Sequence, residues 1–397
     1  MTSTSSARVL VLGGGYAGLL AAARITRASR ARVTLVDQRA RFTQRIRLHE
    51  LLAGAAPPGI GYAPTLAQRG ADFVQARVER IDLARQEVTV AAAGQASRRL
   101  GYDLLLIALG SATAASIPGV AAHALRLNDP AAIADAGARL RDLAARQARV
   151  LVVGGGLTAI ETAAELAAQR PGLRVTIAAY RPLGADYSAA GARHLATSLG
   201  GLGVDVVEGV SVAALEAGAA WLADGRRLDY DACVWAGGFA APALLAEAGL
   251  PVDGLGRVLV TPTLQARDRP AIFAAGDSAA AGDGSHAIRM GCVSAEPMGA
   301  HAGANLAAIV AGGQPEPFRF GFFIRCVSLG RHDGLVQFVD AQDRPTERVL
   351  TGRAAALVKE LICRMTLESV RGELRTGLPL VYWPHGGRWW AAPAAAA

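Results

Sequence analysis

The sequence predicts an α/β protein with two Rossmann-like dinucleotide-binding domains and a smaller α+β C-terminal domain. Three observations carry this prediction. Residues 9–18 read as a buried apolar strand that enters a glycine-rich turn and opens a helix. The same strand, turn and helix recur at residues 149–161. Beyond Pro315 and Pro317 the texture changes to short alternating runs followed by one amphipathic helix.

In the first motif Gly13, Gly15 and Gly18 fit G-x-G-x-x-G, with Tyr16 and Ala17 at the mouth of the helix. The first glycine permits a tight turn, the second lets backbone approach a pyrophosphate, and the third lets helix and strand pack closely. Residues 32–36 read as the next strand and end in Asp37, at the distance expected of a ribose-binding carboxylate. Residues 41–52 carry apolar positions at helical spacing, which predicts a surface-facing helix capped by Thr43, with His49 on it. Residues 77–82, which include Val78, and 87–90 alternate like antiparallel strands. Residues 102–111 form another buried strand ending in a small-residue turn at Ala108 and Gly110, and 129–146 are helical in pattern.

The second motif places Gly154, Gly156 and Ala159 where the first has its three glycines. Alanine still allows close helix packing. Ala179 stands where Asp37 stands in the first copy, and Arg181 lies just beyond it. That exchange leans towards a 2′-phosphate, and so NADPH, with NADH left open. Two further strands end in glycine, one at Gly237 and Gly238 and the other at Gly276, which Asp277 follows directly. Asp277 suits either a sugar hydroxyl at a strand's carboxyl end or a helix N-cap. In the C-terminal region residues 334–339 suggest an antiparallel sheet. Residues 353–370 read as a helix with Leu357, Val358, Leu361, Ile362 and Met365 apolar. Trp383, Trp389 and Trp390 favour core or dimer packing over a membrane interface.

Composition excludes several function classes. The chain has 397 residues, 41 basic against 33 acidic, and a formal net charge of +8. Its only lysine is Lys359, so there is no P-loop and a single candidate for Schiff-base chemistry. The arginines are dispersed without a basic helix or aromatic stripe, which argues against nucleic acid. Cys233, Cys292, Cys326 and Cys363 show no paired spacing, hence no disulfide framework and no metal site. No apolar run is long enough to span a bilayer and no leader pattern opens the sequence, so the expected location is cytoplasmic.

Taken in this order, the motifs resemble the FAD-dependent pyridine nucleotide-disulfide oxidoreductase superfamily, and within it the type II NADH dehydrogenases. The resemblance implies a discontinuous FAD domain (7–115 and 254–312), an NAD(P) domain (116–253) and a C-terminal interface domain (313–397). It assigns FAD to the first motif, with Asp37 on its ribose, Gly276 and Asp277 on its pyrophosphate and ribityl chain, and Arg45, Val78, Ala108 and Gly110 beside it. NADH or NADPH goes to Gly154, Gly156, Ala159, Arg181, Gly237 and Gly238. Glu161 matches the family glutamate near the nicotinamide and flavin rings, against the plainer reading of a first-turn acid favoured by the helix dipole.

Two departures matter. The region that carries a redox cysteine pair in the disulfide reductases, residues 42–50, has none here. The glutamine-bearing stretch at the quinone site of type II dehydrogenases is matched by residues 295–301, and both glutamines are absent. The expected reaction is hydride transfer from NAD(P)H to flavin, then electron transfer to a quinone-like acceptor. A soluble oxidoreductase for a small molecule or carrier protein, or a non-catalytic NAD(P)H sensor, are the alternatives. Arg45, His49, Glu296 and His301 are the polar residues expected to face the acceptor. Peripheral contact with the inner face of a membrane, and a homodimer, stay open.

Overall fold

A computed structural model describes residues 6–114, 117–283 and 287–390. The first five residues, the 115/116 domain boundary and the alanine-rich end lie outside the described residues. Two parallel sheets dominate. In the first, the strands run in the order Gln265–Ala266, Arg269–Ala274, Leu104–Ile107, Arg8–Leu12, Arg32–Asp37 and Asp72–Gln75. Only the Gln265–Ala266 edge strand is antiparallel to its neighbour. The central strand buries Val9, Leu10, Val11 and Leu12 on both faces, as a parallel strand between helices must. Its register pairs Val9 with Val33 on one side and Leu104 on the other.

The second sheet repeats the plan with Leu125–Arg126, Ala232–Trp235, Arg149–Val153, Arg174–Ala179 and Asp205–Glu208. Val150 pairs with Val175 and Ala232. A three-stranded antiparallel sheet, Ile324–Ser328, Gly334–Val339 and Pro345–Thr351, follows and packs beneath the helix Gly352–Thr376. That helix extends beyond the predicted span and stops at Gly377, which takes the left-handed conformation of a helix C-terminus.

Close backbone packing brings the first helix, Tyr16–Ala28, against the helix Cys292–Val310. A Cβ at Gly299 would lie 2.3 Å from the backbone of Ala17, and one at Gly303 2.7 Å from that of Ala21. The C-terminal segment is tied to the same helix by a buried ion pair. Arg24 Nε and Nη2 donate to Glu373 at 2.6 and 2.7 Å, while the Leu380 and Val381 N–H groups donate to Glu373 Oε1 at 2.8 and 2.9 Å. Trp389 is buried with Phe320 and Phe322 and donates Nε1–H to the Phe320 carbonyl, which is the core packing expected of it.

Residues 41–52 depart from the expected single helix. They form a strand, Arg41–Thr43, a 3₁₀ turn, Arg45–Arg47, and a short helix, Leu48–Leu52. Phe42 pairs with Ile60 and sets its ring edge-on to Tyr16 at 4.9 Å, and that tertiary contact overrides local helical spacing. Thr43 lies in the strand and caps nothing. No helix among the described residues is long and apolar enough to cross a membrane.

Candidate active site

The first glycine turn is shaped for a pyrophosphate. Gly13 has φ +99°, and a Cβ there would meet the Ala108 carbonyl at 2.2 Å; a Cβ on Gly18 would meet the Gly13 carbonyl at 1.8 Å. At Gly15 nothing lies within 4 Å of that position, so the space over the helix N-terminus is open to an anion. Asp37 braces the loop by accepting from Gly14 N–H at 2.7 Å and Arg39 N–H at 2.8 Å. The second turn repeats this construction. Gly154 N–H donates to Ala178 at 2.8 Å as Gly13 does to Val36, Gly156 is again open, and Ala159 is buried. Gly237 packs on Trp235, and the Gly238 carbonyl accepts from Ala114 N–H. Substituting Gly18 with alanine should separate turn from helix and leave purified protein without bound flavin, read as loss of the visible flavin absorbance.

At the carboxyl end of the first sheet Asp277 accepts from Ser111 Oγ at 2.7 Å and from Gly291 N–H at 2.9 Å. Ser278 Oγ donates to the Gly110 carbonyl at 3.1 Å. Arg45 donates to the Ser111 carbonyl and faces Asp277; burial pulls its guanidinium below the ordinary arginine value. Ala17 is buried against Gly276, where a Cβ would lie 3.3 Å from its own, and Tyr16 is buried against Phe42. Val78 instead packs on the main core from its antiparallel strand. Arg181 is exposed and paired with Asp186 at 3.2 Å, so the cation offered to a 2′-phosphate already has a carboxylate partner.

On the helix Leu157–Gln169, which opens from the second glycine turn, Glu161 anchors a buried ionic cluster. Glu161 Oε1 lies 2.9 Å from Lys359 Nζ and accepts from Ser328 N–H at 3.0 Å. His49 Nδ1 lies 4.0 Å from Glu161 Oε2, and its Nε2 lies 4.0 Å from Glu50 Oε1 with no hydrogen-bond partner. Burial pushes the Glu161 carboxyl up, but the Lys359 ammonium, His49 and the Ser328 N–H outweigh it and hold the group below the usual range. Burial pulls Lys359 down, and Glu161 reverses this, keeping the ammonium above its ordinary value. Burial pulls His49 below the ordinary imidazole value, against the opposing pull of Glu161 and Glu50.

Next to this cluster a cavity of about 450 Å³ is lined by Gln44, Arg47, Glu50, the loop 55–58, Arg331, Glu360, Arg364, Leu367 and Glu368. Arg47 links its two sides, contacting Glu50 and Glu360 at 2.9 Å each.

With this geometry in hand, comparison with known proteins decides the lineage. The sequence profile of the pyridine nucleotide-disulphide oxidoreductases matches residues 7–304. The chain belongs to that family. It is 33% identical to an NADH dehydrogenase-like protein of Mycobacterium tuberculosis over 75% of this chain and 80% of that one. A demethylphylloquinone reductase of Synechocystis is 29% identical over 70% and 73% of the two chains. A type II NADH:quinone oxidoreductase of Staphylococcus aureus is 26% identical over 89% and 94%. Among solved structures, the NDH2 of Plasmodium falciparum in complex with NADH superposes with TM-score 0.78 at 15% identity, covering 94% of this chain and 97% of that one. The sulfide:quinone oxidoreductase of Aquifex aeolicus gives TM-score 0.78 at 21% identity over 93% and 92%.

This family member is an FAD-dependent NADH oxidoreductase. The fold brings together several residues that the sequence singled out, and it corrects four readings. Glu161 is no ordinary first-turn acid, since it is buried against a lysine. His49 is buried, not surface-facing, because the short helix Leu48–Leu52 that carries it packs against the helix Leu157–Gln169. Lys359 is unsuited to Schiff-base chemistry, because its carboxylate partner keeps the amine protonated. The four acceptor candidates have separate partners: Arg45 faces Asp277, His49 faces Glu161, Glu296 faces Glu373 and Tyr16, and His301 donates Nε2–H to the Glu316 carbonyl beside Phe318. Sequence reasoning missed the Lys359–Glu161 pairing and the Ser328 contact. The signal for the first was present, because one lysine among so many arginines marks a place where arginine does not serve.

Proposed function

We propose that this enzyme passes electrons from NADH to a quinone-class acceptor through its flavin, with no redox disulfide. The buried Glu161–Lys359 pair, set on the helix that follows the second dinucleotide turn and beside a cavity, carries this reading. When bound, FAD takes hydride from NADH and releases the electrons to the acceptor. The chain's own residues do the rest. Gly15 and Gly156 admit the two pyrophosphates, while Arg45, Asp277 and Ser111 set the flavin's position. Lys359 supplies a fixed positive charge in a dry site, where it stabilises negative charge developing on reduction, and Glu161 holds that ammonium in place. The residues around 42–50 carry no thiol, so electrons go straight to the acceptor.

Anaerobic rapid mixing with NADH, then with menadione, tests the reading. Flavin bleaching by NADH and full recovery of its absorbance with menadione support it; bleaching without recovery by any quinone contradicts it.

The helix Gly352–Thr376 leaves Leu357, Leu361 and Met365 exposed in one stripe, with Leu378, Leu380 and Tyr382 exposed just after it. We propose that this apolar edge rests in a membrane surface, where a quinone pool would be reached. Flotation with anionic vesicles should carry the native protein upward and leave a Leu361→Glu, Met365→Glu variant behind.

A further inference from the structure

Three buried polar side chains on three separate elements are under-satisfied: Gln44 Oε1 ahead of the 3₁₀ turn and Glu296 Oε1 on the helix Cys292–Val310 have no hydrogen-bond partner, and Tyr16 Oη on the first helix has at most the Thr366 hydroxyl. All three residues are more than nine-tenths buried, at 7%, 1% and 8% exposure. They surround one place. Tyr16 faces Cys292, Glu296, Thr366 and Cys363, and Gln44 Nε2 donates to the Cys363 carbonyl at 2.8 Å. Gln44 is also a wall of the 450 Å³ cavity, so that cavity abuts the cluster. Leaving a buried polar atom unpaired costs about 1–3 kcal/mol. Gln44 forms the cavity wall, and Tyr16 and Glu296 lie behind it against Cys363 and Cys292, so under-satisfied polar groups lead inward from the cavity.

We propose that Glu296 delivers a proton that the electron acceptor takes up on reduction, and that Tyr16 and Gln44 complete the hydrogen-bonding cradle that receives the acceptor. The inference rests on the quinone reading above. A quinone becomes a quinol by gaining two electrons, supplied by NADH through the flavin, and two protons. Glu296 gives one proton from its carboxyl O–H to an acceptor oxygen, and water restores that proton after the quinol leaves. The second proton comes from solvent.

Electrostatics fit this role. Burial, then the Glu373 carboxylate, push Glu296 well above the usual carboxylate range, which favours its neutral acid form. The groups facing it are Tyr16 on the first helix, Cys292 on its own helix, and Glu373 on the following long helix. Glu373 itself is neutralised by Arg24. None of these supplies a cation to Glu296. A carboxylic acid also has the shape of the glutamine that the resemblance places here, and it donates O–H where the amide donates N–H. Unlike the amide, it gives its proton up.

Glu296→Gln tests this, because it keeps shape and hydrogen bonding and removes the acid. We expect anaerobic NADH reduction to be unchanged. Reoxidation by menadione should slow by about a hundredfold, in the range of general acid catalysis, and lose its decline at alkaline pH. Reoxidation by ferricyanide, which takes up no proton, should be unaltered. An infrared carbonyl band of a protonated carboxylic acid should be present in native protein and missing in the variant, whatever its activity. Equal slowing with menadione and ferricyanide, unchanged menadione rates, or no such band would each overturn the proposal. If native protein transfers nothing to menadione, the quinone reading falls and this inference with it. Failure confined to the variant comparison removes the inference alone.

Discussion

Replacing Lys359 with methionine is expected to slow NADH-driven flavin reduction by about a hundredfold, the scale set by losing one preorganised charge. Methionine fills the aliphatic volume, so packing survives while the ammonium 2.9 Å from Glu161 is gone. The Glu161 carboxyl then keeps only Ser328 N–H and His49 as partners, and burial dominates. The pH dependence of stability should therefore change sign. In the native protein Glu161 is depressed, so its contribution is present above its unfolded value of about 4.3 and is lost as pH falls through the folded value. Lys359 is raised, and its contribution, present below about 10.4, is lost only as pH rises through its still higher folded value. In Lys359→Met a raised Glu161 gives stability that is present below about 4.3 and falls as pH rises through its new folded value. Urea midpoints measured from pH 5 to 9 separate the two cases. A variant with native kinetics and a native pH profile would show that the pair is incidental.

Removing the Glu373 side chain is expected to cost about 3–5 kcal/mol, because it leaves Arg24 as an uncompensated, largely buried charge. It also strips the Leu380 and Val381 N–H groups of their acceptor. Glu373 is 1% exposed and Arg24 14%, so solvent screens this pair very little. Glu373→Ala should lower the thermal midpoint, and hydrogen exchange should rise first at residues 378–383. Arg24→Met with Glu373→Leu, which removes both charges, should recover much of the loss. If the single and double variants are equally unstable, packing and not charge holds this segment.

The parts of the fold that local chemistry dictates were readable from sequence. Both glycine turns follow from single short stretches whose steric demands are local, and the Cβ clashes at Gly13 and Gly18 are the physical reason those residues are glycine. The strands that are buried on both faces announce themselves by unbroken apolar runs. The active-site cluster was much less legible. Glu161, His49, Ser328 and Lys359 come from four elements far apart in sequence, and no spacing rule joins them. Residues 41–52 show the other limit, because helical periodicity was present and the Phe42–Tyr16 contact overrode it. Glu296 read as a loss, a missing glutamine. Burial changes that reading, since a neutral carboxylic acid can donate O–H where the amide donates N–H, and can also give its proton up.

The most direct test of the account is an anaerobic titration of the purified yellow protein with NADH, followed in the visible flavin band. A flavin with no redox cysteine partner should bleach fully at one equivalent of NADH per FAD, and one equivalent of menadione should then restore it. A requirement for two equivalents, or NADH binding that leaves the flavin oxidised, would contradict the central claim.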